Sequence, residues 1–356
     1  MKCINDFVPR ELGYRMPGEW EPRKRTFMQW PVRTGENSTT PLWPEGVEAA
    51  RKGYAAVAQA IAEFGEVVMI TSQECYAETV EMCGPNVKVL CLPIDDSWAR
   101  DNGPTFVIND EQELAMVKWR FSSYGEKYQT HYNDGKIPQH LSVIYDVPMF
   151  KSPLCIEGGG IHTDGQGTAL TTATVLFNMM RNSRYTHEEC VELLKQYLNV
   201  EDVIVFPSGL YGDLTDGHVD NVACFVRPGV IVIQACYDPE DPDYEIYQAN
   251  RKVIDNFRDR ATGLPFEVYE IEKPPRRYYN GQLLTMSYIN YLPVPPNGVV
   301  VPTFGGDAAE TDRKALETLQ KLYPNHKIRP IDGMPIIIGG GCVHCITQQM
   351  PLGKSL

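Results

Sequence analysis

Strand-like runs outnumber helix-like runs by three to one along this chain, and that ratio limits the folds open to it. Strands are expected at 27–32, 67–71, 87–93, 105–110, 114–121, 168–172, 202–207, 223–226, 229–235, 266–271, 298–304 and 327–332. In each, β-branched and aromatic residues are bordered by Gly, Pro or Asp. Helical periodicity is confined to 47–64, 186–198, 244–261 and 307–323. Thr186 followed by Glu188 and Glu189 makes an N-terminal cap with acids on the positive end of the second helix. The fourth starts at Asp307 and stops before Pro324, which cannot continue it. Two or more strands flank every helix, too many for a simple doubly wound sheet. The expectation is an α/β chain forming one continuous domain over 1–356, assembled from repeated strand-strand-helix-strand units.

Composition narrows the function. With 43% hydrophobic and 22% charged residues, the chain is neither disordered nor fibrous. A net charge of -13 argues against nucleic acid or an anionic membrane as partner and is compatible with a cationic ligand. The first twenty residues have no apolar signal core, and no run approaches a membrane span. Ten cysteines without a secretory signal read as reduced thiols in a cytoplasmic protein, so glycosylation at the sequon Asn37-Ser38-Thr39 is not expected.

Four segments concentrate polar residues at the ends of apolar runs. LPIDDSWARDNGPTFV (92–107) holds Asp95, Asp96, Trp98, Arg100 and Asp101. SPLCIEGGGIHTDGQGT (152–168) has Glu157 before three glycines. GLYGDLTDGHVDNVACFV (209–226) holds Asp213, Asp216, His218, Asp220 and Asn221. IIIGGGCVHCITQQMP (336–351) runs from isoleucines through Gly339–Gly341 to Cys342, His344 and Cys345. Loops at strand ends are where rigid scaffolds hold functional groups, but these four can converge only if their strands share a polarity.

The cysteine segment admits three chemistries. As a zinc site, Cys342, His344 and Cys345, with His218 in addition, are too tightly spaced and lack a second ligand pair. As a redox pair, Cys342 and Cys345 satisfy C-x-x-C without the usual sequence context. As a nucleophile, a cysteine behind a glycine turn needs a histidine to carry protons and a group to orient it. His218 is the candidate, and on a short strand His218 and Asp220 would share a face. The carboxylates Asp101, Glu157 and Asp220 suit a positively charged substrate, best a planar guanidinium. The chain lacks G-x-S-x-G, and no nucleotide-binding glycine motif stands out, which disfavours a serine hydrolase and a nucleotide enzyme. Taken singly, each residue reads more readily as a turn, cap or core group.

Taken together, GYRMPGEWEP (13–22), QWPVR (29–33), DDSWARDNGPTF (95–106), EGGGIHTDGQGT (157–168), TDGHVDN (215–221), SYINY (287–291) and GGGCVHCITQQMP (339–351) resemble, in order, the agmatine deiminase family. That family belongs to the guanidino-group-modifying superfamily with the peptidylarginine deiminases. The resemblance implies a five-bladed α/β propeller, the pentein fold, of strand-strand-helix-strand units. It implies a hydrolase of linear amidines that turns agmatine and water into N-carbamoylputrescine and ammonia, within putrescine biosynthesis, without metal or organic cofactor. By the same resemblance Cys345 is the nucleophile, Asp101 and Asp220 grip the guanidinium, His218 is the general acid and base, and Glu157 orients His218. Trp98 and Trp119 are expected to line the substrate, and Asp213 or Asp216 to meet its distal amine. A homo-oligomer, dimer or larger, is implied too.

The chain departs from the family pattern at three of these places. Cys342 stands where Asn is usual, Leu214 where an acidic residue is expected to meet the far ammonium, and Tyr124 where Trp is common. Another guanidino compound, or a peptidyl arginine, is the alternative substrate; a redox or zinc protein using Cys342 and Cys345 is the alternative class.

Overall fold

The computed structural model describes residues 3–34 and 42–354. The sequon at Asn37 lies outside the described residues.

One pattern recurs in five sheets. Two strands joined by a short turn pair antiparallel, and a third returns through a helical crossover to pair parallel with the second. In chain order the first such sheet joins Thr105–Ile108, Leu114–Arg120 and Met149–Cys155, with helix Ile137–Tyr145 in the crossover. The next joins His162–Thr163, Thr168–Thr172 and Asp202–Phe206 around helix His187–Leu198. A third joins Ala223–Arg227, Val230–Ala235 and Glu267–Glu272 around helix Asp243–Asp255. The fourth joins Leu292–Val294, Gly298–Thr303 and Lys327–Asp332 around helix Ala309–Leu322. The last is built from both ends of the chain: Thr347–Pro351 pairs antiparallel with Arg23–Gln29, which continues through helix Glu48–Ala62 to the parallel strand Val67–Thr71. The chain is thus α/β with mixed sheets.

The middle strands explain the pattern energetically. Val230–Ala235 and Thr168–Thr172 are buried along their whole length, as strands covered on both faces must be. The crossover helices are amphipathic. Ala309–Leu322 buries Ala315, Leu319 and Leu322 and leaves Glu310, Arg313 and Glu317 paired on the outside. Helix His187–Leu198 has the expected cap: the Thr186 hydroxyl accepts from the Glu189 N–H, and the Glu189 carboxylate accepts from the Thr186 N–H.

Every expected strand and helix is present to within a few residues at its ends. Several elements were not anticipated, among them helices Tyr76–Cys83 and Ile137–Tyr145 and strands His162–Thr163, Leu292–Val294 and Thr347–Pro351, which carry little periodic signal. Thr347–Pro351 is fully buried although it reads TQQMP, because its environment is supplied by neighbouring sheets and not by its own side chains. Two local expectations are corrected. The isoleucines before the glycines lie at the end of a short helix, Met334–Ile337, with Pro335 in its first turn, and not on a strand. His218 and Asp220 lie on a 3-10 turn whose helical residues are Val219–Asn221, not on a strand. All ten cysteines are free thiols, and among the described residues no helix is long and apolar enough to cross a membrane.

Candidate active site

The repeated sheets place one short segment each at a shared position, just ahead of their first strand. Trp98 to Asp101 precede Thr105–Ile108, and Glu157 to Gly160 precede His162–Thr163. His218 to Asn221 precede Ala223–Arg227, Asn290 precedes Leu292–Val294, and Cys345 precedes Thr347–Pro351. The polarity that the sequence left open is therefore common to all five, and the segments meet.

Gly159 is where they come closest. A Cβ at this position would sit 2.5 Å from His218 Nδ1, 2.9 Å from Asp101 Oδ1 and 3.0 Å from Asp220 Oδ2. Three functional groups from two neighbouring segments thus crowd over one bare backbone. The Gly159 N–H donates to Asp101 Oδ1 at 3.0 Å. On the other side of Asp220, its Oδ2 lies 3.4 Å from Cys345 Sγ. The thiol also accepts from Asn290 Nδ2 at 3.0 Å, and Asn290 donates to Asn221 Oδ1 at 2.9 Å. His218 Nε2 pairs with Glu157 Oε2 at 3.2 Å, while its Nδ1 stands 3.6 Å from Asp101 Oδ1. Glu157 is held in turn by Arg181, whose Nε donates to both carboxylate oxygens. Among the described residues His218 Nδ1 and Asp220 Oδ1 are buried with no hydrogen-bond partner. Both atoms lie within the cluster around Gly159.

The electrostatics follow from burial and pairing. Burial pushes the Asp101 carboxyl up to about 6, against the pull of His218. For His218, burial opposes the charged ring, but Asp101, Glu157 and Asp220 together raise it to about 9. Asp220 is held below the ordinary carboxylate range, because His344 outweighs its burial. The Cys345 thiol is pushed well up by burial and by the Asp220 and Asp101 charges, so the free site keeps it protonated.

The glycine run ahead of Cys345 is a packing requirement. A Cβ on Gly341 would meet the Trp98 ring at 2.6 Å and Cys345 Cβ at 2.8 Å. Gly340 has φ +107 and faces Leu214. Trp98 stacks on Trp43 with centroids 6.2 Å apart. Above the thiol a narrow, partly open cleft is walled by Leu42, Trp98, Tyr124, Tyr128 and Leu214 and reaches Asp101 and Cys345. A wider surface groove around Asp241, Lys273 and Arg276 shares no residue with it, and those charges already pair with one another.

Asp101, Glu157, His218, Asp220 and Cys345 are thus brought together, and Trp98 lines the cleft. The other expected binding residues are elsewhere. Trp119 packs in the apolar core beside Tyr197 and donates to Thr105 Oγ1 at 2.8 Å, so its ring is spent on packing. Asp213 accepts from the Thr215 N–H and hydroxyl and from Asn221, and organises its own loop. Asp216 is engaged by Lys127 at 2.5 Å and by Arg181 at 2.7 Å. Neither carboxylate is left to meet an amine.

The cysteine segment is also resolved. Cys342 Sγ faces Gly333 on the far side of the turn, and burial pushes its thiol up to about 12, so it is not poised against Cys345. His344 has both ring nitrogens engaged by carboxylates, Asp220 and Glu19, and offers none to the cysteines. Glu19, His162 and His344 do bring three potential metal-ligand atoms within 4.8 Å of one another. The positive charge there is supplied by Arg100, 3.2 Å from Glu19.

Sequence reasoning missed Glu19, Asn290, Arg181 and the position of His344. Each lies in or near a quoted motif, but nothing local distinguishes them from ordinary polar residues. Tyr124 was noted only as a departure. It sits on a left-handed turn (Ser123, Tyr124, Gly125 and Glu126 all have positive φ) that delivers its hydroxyl to Asp101 Oδ2 at 2.9 Å.

A family profile for Porphyromonas-type peptidyl-arginine deiminases matches residues 15–351. A Legionella pneumophila (strain Paris) protein is 39% identical over 351 residues, covering 98% of this chain and 99% of that one. The agmatine deiminase of Pseudomonas syringae pv. tomato is 35% identical over 375 residues and 99% of each chain. Among solved structures, the agmatine deiminase of Enterococcus faecalis superposes with a TM-score of 0.91 at 32% identity, covering 100% of both chains.

Proposed function

Because the chain belongs to the Porphyromonas-type peptidyl-arginine deiminase family, we infer that the convergence on Gly159 is the catalytic centre of a guanidino-group hydrolase. The enzyme hydrolyses agmatine to N-carbamoylputrescine and ammonia. The observation that carries the site assignment is a thiol and a histidine flanked by carboxylates, with Cys345 and Asp101 lining a narrow cleft.

In this reading the guanidinium lies between Asp101 and Asp220, whose carboxylates match its N–H pairs. Fixing the planar cation compensates for its poor electrophilicity. Its positive charge arrives beside a thiol that burial and the two aspartates keep protonated, and so favours ionisation, the thiol proton leaving to bulk water and Sγ becoming the thiolate. Cys345 Sγ attacks the guanidino carbon. His218 delivers a proton to one terminal nitrogen, the C–N bond breaks and ammonia leaves. The remaining thiouronium on Cys345 is attacked by water, whose proton passes to His218. The C–S bond then breaks to give the ureido product and the free thiol. Glu157, itself fixed by Arg181, sets the ring orientation of His218.

The fold completes the proposal as a five-bladed propeller in one catalytic domain. Support comes from the five like-patterned sheets and from pairing of the last strand with Arg23–Gln29. Ten free thiols fit a cytoplasmic setting. Homo-oligomeric assembly rests on the family likeness alone.

The test is release of ammonia and ureido product from agmatine, free arginine and a benzoylated arginine amide. Agmatine should be the best of the three, since a narrow cleft walled by Leu42, Trp98, Tyr124, Tyr128 and Leu214 suits an unbranched tail. Preference for the arginine amide would move the substrate to peptidyl arginine, and no turnover of any guanidine by reduced protein would overturn the reading.

The charge states set a pH profile. Guanidinium binding needs Asp101 ionised, so kcat/KM should rise as pH climbs through about 6. Leaving-group protonation needs a protonated His218, so it should fall as pH climbs through about 9. A profile flat from about pH 5 to 10 would refute both roles.

A further inference from the structure

Two buried histidines stand side by side near the nucleophile, with ring centroids 6.3 Å apart, and their partners give them opposite protonation patterns. His162 Nδ1 accepts the Phe225 N–H at 3.3 Å, so this nitrogen carries no proton, and the ring is neutral with its Nε2–H toward Glu19. His344 has no such acceptor role. Its Nδ1 lies 2.9 Å from Asp220 Oδ2 and its Nε2 2.7 Å from Glu19 Oε1. Carboxylates only accept, so both nitrogens must donate.

We propose that His344 is a permanently charged positioning residue: an imidazolium clamped between Glu19 and Asp220 that keeps Asp220 ionised and aims its free oxygen, Oδ1, at the guanidinium. The proposal deepens the guanidino-hydrolase reading and rests on it for the role of Asp220.

Three features support it. Asp220 Oδ2 is occupied by His344 and the Cys345 thiol, while Oδ1 is buried and unpartnered among the described residues. The other charged groups facing His344 have been accounted for. Arg100 opposes the ring charge, Glu19 and Asp220 favour it, and buried Arg23 donates to the Glu19 carbonyl beside it. Their balance holds His344 above the ordinary histidine range despite burial and Arg100. Finally, an ionised Asp220 beside a neutral His344 would be a desolvated charge without a compensating cation on that oxygen.

The direct test is nitrogen NMR of histidine-labelled, unliganded protein. Both His344 nitrogens are expected to be protonated at pH 7, with His162 singly protonated. A neutral His344 would overturn the proposal, and this measurement is independent of turnover, so it separates the proposal from the reaction it serves. The kinetic test uses His344→Asn, which keeps a donor near Nδ1, and His344→Gln, which keeps one near Nε2. Both remove the charge. Each should raise KM for agmatine about tenfold or more with a smaller change in kcat, since Asp220 grips ground and transition states alike. Each should also raise the titration of Asp220 itself, read by carboxyl-carbon NMR of aspartate-labelled, unliganded protein, by about one pH unit. A purely structural residue would not move that titration. An unshifted Asp220 in folded variants would overturn the proposal.

Discussion

Replacing Cys345 with serine is expected to cut agmatine turnover by about 10⁴-fold or more while leaving the fold and the guanidinium slot intact. The size of the effect follows from the mechanism. A hydroxyl is far harder to ionise than a thiol, and the site around it is built against ionisation: burial and the charges of Asp220 and Asp101 already hold the thiol well above its usual range. What the bound cation can do for a thiol it cannot do for an alcohol. The substitution changes one atom in a fully packed position, where Asn290 and Asp220 can hydrogen-bond to Oγ as they do to Sγ. Unfolding midpoints should therefore match within error. Mass spectrometry of quenched wild-type enzyme should reveal an adduct on the peptide carrying Cys345, absent from the variant. Retention of a tenth of the activity by Cys345→Ser would place the nucleophile elsewhere.

Gly159→Ala is expected to cost less activity, on the order of 10²-fold, but it is far less visible in the sequence. The position does not adopt a positive φ, so alanine meets no backbone objection. The new methyl would instead lie 2.5 Å from His218 Nδ1 and 2.9 Å from Asp101 Oδ1. Those groups must shift by roughly an ångström to admit it, and misplacement of that order costs on the order of 10²-fold in rate. Overpacking should also lower stability by about 1–3 kcal/mol, measurable by urea denaturation. Gly135→Ala is the control, since a Cβ there meets nothing within 4 Å and it too avoids positive φ. If Gly159→Ala retained wild-type kcat/KM, the crowding of three functional groups over this backbone would not be the catalytic geometry.

Leu214 and its neighbours bear on specificity. It walls the cleft and packs against Gly340, and the adjacent acids Asp213 and Asp216 are satisfied within the protein.

The amino-acid order was enough to place most strands and helices, because β-branched runs and amphipathic periodicity act over a few residues. It also pointed to the segments that carry Cys345, His218, Asp101, Glu157 and Asp220, since those segments are dense in polar groups. It misjudged residues whose meaning depends on distant partners. Trp119 reads as an aromatic fit for a ligand, yet its indole N–H finds Thr105 across the hairpin. Glu19 reads as a loop acid, yet it pairs with His344, 325 positions away. That contact exists because Thr347–Pro351 pairs with Arg23–Gln29 and joins the two ends of the chain in one sheet. Local propensity decides which elements form. Only closure of the sheets decides which side chains share a low-dielectric interior, and there their charges, and with them the chemistry, are set by one another.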